Sequence, residues 1–283
     1  MEILIFGAVT SAIYAMLAVG FTLIFGVARI LNLAHGSFYA LGAYGAYTLT
    51  TVVGWPLWLA TPVVVAAVAV FGMLAERVLI RPMRKSQLAV LMISLAISLV
   101  VEQALFLTFG SDYRNVPSFS DHKFTLGGVD VAGQRLLTSA VAFLAIGCLY
   151  LFIQRTRLGS AILAISQDPE AAQYMGIPSD RIFALVMAIS AALAALAGIM
   201  AGPFLSVQPS MHLLPIVKAF AIVVVGGLGS IPGSIAAAFM LGYAETVVAY
   251  GLSTAWTEIV SVAATLIMLV WRPAGFFGKR AAF

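Results

Sequence analysis

The chain has 283 residues, of which 62% are hydrophobic and only 9% are charged. A soluble domain carries about 25% charged residues, so this composition excludes a water-soluble protein with a polar surface. The net charge of +4 arises from basic residues in short connections between apolar segments. That distribution is typical of membrane proteins, and it excludes nucleic acid as a partner.

Nine apolar segments have about the length that crosses the hydrocarbon core of a bilayer, which takes roughly 20 helical residues. A bilayer core offers no hydrogen bonds to an exposed backbone, so we expect these segments to be helices. The sequence therefore predicts an all-α polytopic membrane protein, one domain over residues 1–283, with about nine transmembrane segments. Eight are possible if the seventh and eighth form one broken, re-entrant element. The segments are 3–25, 36–53, 57–75, 88–109, 136–153, 182–202, 212–227, 233–250 and 254–271.

The basic residues predict the orientation of the chain. With nine crossings, eleven of them fall on one side of the membrane and four on the other. Because cytoplasmic loops carry the excess of Lys and Arg, we predict that the first side is cytoplasmic, with the N-terminus outside and the C-terminus in the cytoplasm. The eleven are Arg29, Arg77, Arg81, Arg84, Lys85, Arg155, Arg157, Arg181, Arg272, Lys279 and Arg280, and the four are Arg114, Lys123, Arg135 and Lys218.

The predicted cytoplasmic connection 154–181 contains signals for a short helix. Asp168 is a good N-cap residue, Pro169 suits the first helical position and Glu170 places an acid in the first turn. Gly176 followed by Pro178 stops the helix. A short capped helix between two spans is either a docking element for a soluble partner or an amphipathic helix at the membrane surface.

Sequence motifs for catalysis are absent. The chain has no G-x-x-x-x-G-K-[ST] phosphate loop, no H-E-x-x-H motif, one cysteine, and three scattered histidines, His35, His122 and His212. We therefore predict that this chain is not an enzyme and holds neither a metal nor a cofactor.

Three stretches rich in glycine, proline or polar residues interrupt the apolar segments: residues 32–37, 202–215 and 226–233. Transporters use broken helices where the exposed backbone lines a cavity. The alternative is tight turns and close helix packing through small residues. The candidate residues for a translocation pathway in these stretches are Asn32, His35, Ser37, Gly226 and Gly227.

Three glutamates, Glu102, Glu245 and Glu258, lie within apolar segments. A carboxylate at the bilayer centre costs roughly 2.5–3.5 kcal/mol on insertion scales, so it normally faces the bundle interior or water. Glu102 and Glu245 are therefore further candidates for the pathway, whereas Glu258, near a segment end, is more simply explained by contact with the headgroups. The sequence shows no evident partner for these acids, which argues against a transporter that couples to ions through them.

Four stretches are similar to LivH-type permeases, which belong to ABC importers for branched-chain amino acids. The similarity is collinear from about residue 4 to residue 278, in a chain of the size typical of that family. The stretches are NLAHGSFY at 32–39 with Gly42-Ala43-Tyr44 following, RPMR at 81–84, VGGLGSIPG at 225–233 and WRPAGFFG at 271–278.

The resemblance implies that the connection 154–181 couples the permease to an ATPase. Glu170-Ala171-Ala172 followed by Gly176 is similar to the EAA–G motif of permease loops that dock into a groove of the ATPase. The residues to which the resemblance assigns this role are Arg157, Gly159, Asp168, Glu170, Ala171, Ala172, Gly176, Ile177 and Pro178.

The resemblance also implies partners and a mechanism. The expected partners are a second homologous permease subunit, two cytoplasmic ABC ATPases that hydrolyse ATP, a periplasmic or lipid-anchored substrate-binding protein, and the lipid of a bacterial cytoplasmic (inner) membrane. The expected function is alternating access for branched-chain or other apolar amino acids. Related permeases serve urea, short amides or aromatic amino acids, and a stand-alone secondary transporter or channel that uses the embedded glutamates is the alternative function.

Overall fold

The computed structural model describes residues 2–120, 122–126, 129–272 and 275–277. Several residues used in the sequence analysis lie outside the described residues: Lys279 and Arg280, and Pro273, Ala274 and Gly278 of the C-terminal string.

The described part of the chain is predominantly helical, with eleven α-helices and one small sheet. Two of the α-helices continue into other helical forms, and two short 3₁₀ turns precede α9 and α11. In chain order the elements are α1 (Glu2–Ala28), α2 (His35–Tyr47) with a π-helical turn (Thr48–Val52), α3 (Leu57–Ala75) with a π-helical turn (Glu76–Ile80) and a 3₁₀ turn (Arg81–Met83), α4 (Gln87–Phe109), β1 (Lys123–Leu126), β2 (Val129–Ala132), α5 (Gly133–Arg155), α6 (Arg157–Gln167), α7 (Pro169–Tyr174), α8 (Ser179–Ala201), a 3₁₀ turn (Pro209–His212), α9 (Leu213–Gly226), α10 (Ile231–Gly251), a 3₁₀ turn (Thr254–Trp256) and α11 (Thr257–Trp271).

Eight of these helices, with their helical extensions, are long and apolar enough to cross a membrane within the described ranges. The predicted polytopic helical fold is therefore confirmed. The segment predicted at 36–53 is also helical, as α2 and its π-helical turn, but it is not among those eight. Most of α2 is buried inside the protein. Because protein rather than lipid covers it, its histidine, tyrosines and glycines are tolerated at membrane depth.

The helix α2 begins deep inside the bundle. The Nε2 atom of His35, its first residue, lies 3.0 Å from the carbonyl oxygen of Leu17, which is three helical turns, about 16 Å, before α1 ends. Between the two helices the chain turns back at Arg29, whose φ of 53° is left-handed. Ile30 and Ala34 of this non-helical connection are buried. Residues 29–34 are thus a re-entrant connection, whereas the sequence left both a broken helix and a tight turn open at 32–37.

The bundle has two ends, which we call the loop face and the hairpin face. The loop face carries α6, α7 and the end of α1; the hairpin face carries β1, β2 and the start of α1. The sequence assigns eleven basic residues to one side of the membrane, and nine of them are described. These nine lie at the loop face or at helix ends that reach it. The described contacts that place them there join Arg84 to Asp180 at the start of α8, and Arg29 to the cavity that α6 lines. The orientation of these faces in a membrane stays a prediction.

A β-hairpin in the connection before α5 was not predicted. Strands β1 and β2 pair antiparallel, with Lys123 opposite Ala132 and Phe124 opposite Val131. The pair is only four residues long on each side, and such short strands give too little alternation of polar and apolar residues to stand out from a loop.

The helix α8 forms the centre of the bundle. Of its most apolar stretch 72% is buried inside the protein, compared with 11% for the stretch that contains α11. It packs on α1, α2 and α3, and small residues permit the close approach. At Gly198 an added Cβ would collide with the carbonyl oxygen of Tyr39, and at Gly42 with that of Ala195. The α2–α8 contact is therefore backbone against backbone.

Candidate functional site

The connection 154–181 forms two consecutive helices at the loop face. The Oγ1 atom of Thr156 caps α6 by accepting a hydrogen bond of 3.0 Å from the amide of Gly159. Ile162 and Ile165 of α6 are buried, and the helix packs on α1, α5 and α8. Because α6 is anchored along one side, the connection is a fixed part of the bundle and not a free loop.

The helix α7 is capped and stopped as predicted. The Oδ1 atom of Asp168 accepts hydrogen bonds from the amides of Glu170 (2.9 Å) and Ala171 (3.0 Å). At the other end Gly176 has a φ of +83°, a conformation that disfavours any residue with a Cβ. The amide of Ile177 then donates to the carbonyl of Ala172 at 3.0 Å. These bonds close the chain into a rigid reversal that leads directly into α8.

The tip of this reversal presents two large side chains to the surroundings. Tyr174 is 90% exposed and Met175 is 83% exposed. Neither residue is among the predicted coupling residues. The available signal was their place at the end of a capped helix, two and three residues after Ala172, which is buried on the other side of α7.

The predicted pathway residues at the start of α2 are buried and occupied by contacts within the protein. Asn32 accepts a hydrogen bond from the amide of Ala34 and donates one to the sulfur of Met187. The ring of His35 lies 3.0 Å from the Oγ atom of Ser190 as well as from the Leu17 carbonyl. Ser37 donates to Ser98 at 2.8 Å. The three side chains thus join α2 to α1, α4 and α8.

Glu245 belongs to a buried ionic cluster of four residues from four helices. Its Oε2 atom lies 2.7 Å from the Nζ atom of Lys218 and accepts a hydrogen bond of 2.6 Å from the hydroxyl of Tyr14. The Lys218 ammonium also donates to Tyr14 at 2.6 Å, and Ser261 donates to the Oε1 atom of Glu245. The prediction that the embedded carboxylates lack partners is therefore wrong for Glu245. Lys218, grouped by sequence with the outer basic residues, instead lies in α9 and neutralises this acid.

Glu102 lies at a small cleft between α4 and the 3₁₀ turn before α9. The cleft has a volume of about 290 Å³ and includes Gln103 and Gln208. The Oε2 atom of Glu102 is 3.8 Å from the Nε2 atom of the buried His212. Among the predicted pathway residues, Glu102 lines this cleft.

The glycines after α9 serve close packing. An added Cβ on Gly226 would lie 2.5 Å from the backbone of Gly233, at the start of α10. Gly227 has a φ of 104° and contacts Gly275. The amides of Phe276 and Phe277 donate to the carbonyls of Val225 and Gly226, at 2.9 and 3.1 Å. The C-terminal string WRPAGFFG thus caps α9 through residues 275–277. The close approach of its Gly275 to Gly227 explains why this string and VGGLGSIPG at 225–233 both carry glycines.

A cavity of about 1170 Å³ opens at the loop face, between the end of α1, the start of α4, α6 and the α9–α10 turn. Its lining is mainly apolar and includes Arg29, Gln87 and Ser166. None of the predicted pathway residues lines it. The structure therefore brings together the predicted coupling residues but distributes the predicted pathway residues over four separate places.

The helical fold defines the class of this protein as a polytopic, multi-pass membrane protein. The chain matches one protein family over residues 3–269, and it belongs to that family, described as the permease component of the branched-chain amino acid transport system.

Two relatives are similar to the chain in sequence, and one solved structure shares its fold. The chain is 32% identical to LivH of Escherichia coli (strain K12), a high-affinity branched-chain amino acid transport system permease protein, over 288 residues that cover 96% of this chain and 94% of LivH. It is 28% identical to LivM of the same strain, a permease protein that carries the same system name, over 95% of this chain and 68% of LivM. A proposed metal-chelate type ABC transporter in an inward-facing conformation has a TM-score of 0.53 at 19% identity, covering 93% of this chain and 82% of that one, and shows the fold alone.

Proposed function

We propose that this chain is a transmembrane subunit of an ATP-binding cassette importer in a bacterial cytoplasmic membrane, and that it forms part of the pathway for branched-chain or other apolar amino acids. The observation that carries the proposal is the loop of α6 and α7 in a chain of this family. The loop is anchored on one side by Ile162 and Ile165, and it presents Tyr174 and Met175 on the other. An exposed aromatic tip on a rigid support is the arrangement expected of a residue that fills a pocket on a partner.

In this function α7 docks on a cytoplasmic ATPase, and each predicted coupling residue has a physical task. Asp168 starts the helix and Gly176 ends it. Glu170 and Ala171 occupy the first turn of α7, and Ala172 packs against the rest of the protein. Ile177 and Pro178 close the reversal. Arg157 begins α6, and Gly159 allows α6 to approach the backbone of Ile153.

The chain contributes no catalytic chemistry in this proposal. ATP is bound and hydrolysed by two separate ATPase subunits, and a periplasmic or lipid-anchored protein delivers the amino acid to the hairpin face. A second permease subunit completes the pathway; the similarity to both LivH and LivM supports a partner related to this chain. The span that contains α11, of which only 11% is buried in this chain, provides an apolar surface for that subunit or for lipid.

Glu102 is the best-placed pathway candidate, because it borders a cleft near the hairpin face. For Asn32, His35, Ser37, Gly226, Gly227 and Glu245 the pathway role stays a prediction. The pairing of Glu245 with Lys218 weighs against the alternative of a stand-alone ion-coupled transporter, since the pair is neutral and offers no free carboxylate.

Reconstitution tests the proposed function. We expect that proteoliposomes containing this chain, its second permease and its ATPases accumulate leucine only when ATP and the loaded binding protein are present, since the motion is driven by differential docking in two ATPase states. Urea, a short amide and phenylalanine, offered in competition, identify the substrate class. Leucine movement by this chain alone, driven by an ion gradient, would contradict the proposal.

A second prediction concerns the tip of the loop. We expect Tyr174→Asp to weaken binding of the ATPase by roughly 30-fold, because loss of a central aromatic anchor costs about 2 kcal/mol or more. The measurement is the amount of ATPase that co-purifies with the permease. The matched control is Tyr113→Asp, which changes a tyrosine that is 69% exposed in the connection after α4. Equal ATPase recovery in both variants would remove α7 from the interface.

A further inference from the structure

An ionic clasp joins the end of α3 to the start of α8. We define it by Glu76, Arg81, Arg84, Asp180 and Phe183. The guanidinium of Arg84 donates to Glu76 through Nε (3.1 Å) and Nη2, and to Asp180 through Nη1 (2.9 Å). It also lies 4.1 Å from the ring centroid of Phe183. Arg81 adds a second contact to Asp180. Arg84 is thus the centre of the clasp.

Burial separates the strong contact in the clasp from the weak one. The Glu76 side chain is 3% exposed and that of Arg84 is 17% exposed. Arg81 and Asp180 are about half exposed, so water screens their contact and its contribution is small. The buried Arg84–Glu76 pair therefore holds the guanidinium at the end of α3, and from there Arg84 contacts Asp180 and the ring of Phe183 on α8. Removal of Arg84 would leave a buried carboxylate without its cation.

The α8 part of the clasp directly follows the α6–α7 loop in the chain. Asp180 is four residues after Gly176, and the backbone between them is held by hydrogen bonds. The amide of Ile177 donates to Ala172, and the amide of Arg181 donates to the carbonyl of Pro178 at 3.0 Å. Because this reversal is closed at both ends, a displacement of α7 moves Asp180 with it.

The apolar part of the α3–α8 contact does not transmit such a displacement by itself. Along the bundle α3 and α8 meet through small residues, such as Gly72 against Ala191. Contacts of this kind hold two helices at a fixed separation but resist sliding along the axis only weakly, since dispersion is not directional. In the clasp both oxygens of the Asp180 carboxylate accept hydrogen bonds from the α3 side, Oδ1 from Arg84 and Oδ2 from Arg81, and such charge-assisted hydrogen bonds have a preferred geometry. The clasp therefore sets the axial register between α8 and α3.

Two buried polar atoms near the clasp have no hydrogen-bond partner in the described part of the chain: the Oε2 atom of Glu76 and the Oγ atom of Ser179. Buried polar groups are almost always satisfied. The present arrangement therefore leaves hydrogen-bonding capacity for a second arrangement of the same residues, which a switching element requires.

We propose that Arg84 is the positioning residue that passes movement of the loop from α8 to α3, so that ATPase closure displaces both helices together. The inference rests on the proposed function. Without the clasp, the ATPase still docks on α7 and hydrolyses ATP, but α8 slides along α3 and less amino acid is moved for each ATP.

The test compares Arg84→Met with Arg181→Met in the complete reconstituted importer. Arg181 lies in the same turn of α8 as Asp180. Its side chain is exposed and forms no ion pair within the described residues. We expect both variants to retain the ATPase on purification. For Arg84→Met we expect the leucine transported per ATP hydrolysed to fall about tenfold, within the usual range of coupling between sites. For Arg181→Met we expect no change, and Arg84→Lys should recover part of the loss.

A further variant separates coupling from folding. Arg84→Met/Glu76→Gln removes both buried charges together and so avoids the unpaired carboxylate. We expect it to accumulate as folded protein and still to show the low leucine-to-ATP ratio. An unchanged ratio in this double variant would overturn the role of Arg84. Failure of the unmodified chain to bind an ATPase would instead overturn the proposed function, independently of any clasp variant.

Discussion

Replacement of Lys218 by methionine is expected to lower the free energy of unfolding by about 3–5 kcal/mol, the usual cost of removing one partner of a buried ion pair. Glu245 is 3% exposed, and its carboxylate would lose the ammonium that lies 2.7 Å away. Tyr14 and Ser261 would still donate hydrogen bonds to it, but neither carries a charge. The measurement is the unfolding transition of the purified protein in mild detergent.

Two further variants show whether the loss is due to the unpaired charge. Lys218→Met/Glu245→Gln removes both charges and should recover most of the stability, since a buried pair contributes little net energy. Lys123→Met removes an exposed cation from β1 and should change the stability by less than about 0.5 kcal/mol. If the unfolding transition of Lys218→Met coincided with that of the unmodified protein, the cluster would not contribute to stability.

The second large effect is expected at Gly198. Gly198→Leu should cost about 3 kcal/mol or more, the upper end of overpacking in a protein core, and should prevent accumulation of folded protein in the membrane. The cause is the contact with the Tyr39 backbone, which cannot retreat as a flexible side chain can. The α2–α8 crossing would have to separate along its length. The amount of monodisperse protein after size-exclusion chromatography measures the effect.

Gly147→Leu is the matched control for this prediction. Gly147 also lies inside a membrane-spanning helix, α5, but no atom is found within 4 Å of the position that its Cβ would occupy. The replacement adds the same apolar volume and should leave the yield unchanged or higher, since leucine is a better helix former than glycine. Comparable losses in both variants would indicate that the added volume, and not the α2–α8 contact, is responsible.

Features that depend on local sequence were predicted well. The ends of α7 follow from Asp168 and Gly176, because capping involves residues within three or four positions of each other. The apolar lengths of the spans follow from bilayer thickness. The polar residues 32–37 indicated an interruption before α2, but its depth in the bundle was not predicted and follows from the contact between His35 and Leu17.

Features that depend on distant contacts were not predicted. Lys218 and Glu245 are 27 positions apart, and Tyr14 is 231 positions from Glu245; no local pattern indicates that helices α1, α9 and α10 meet at these residues. The same holds for Arg84 and Asp180, which are 96 positions apart. The string RPMR was noticed for its similarity to a family, but its physical role required the position of α8.

The central place of α8 limits where this protein can bend. The helix that receives any force from α7 is enclosed by α1, α2 and α3, and close-packed interiors transmit strain instead of absorbing it. With the clasp in place, a pull on the loop is therefore expected to move α8 and α3 together, with α1 and α2 packed against α8. Bending is then expected outside these four helices, at the turn 227–230 between α9 and α10, where Gly227 and Gly229 have positive φ.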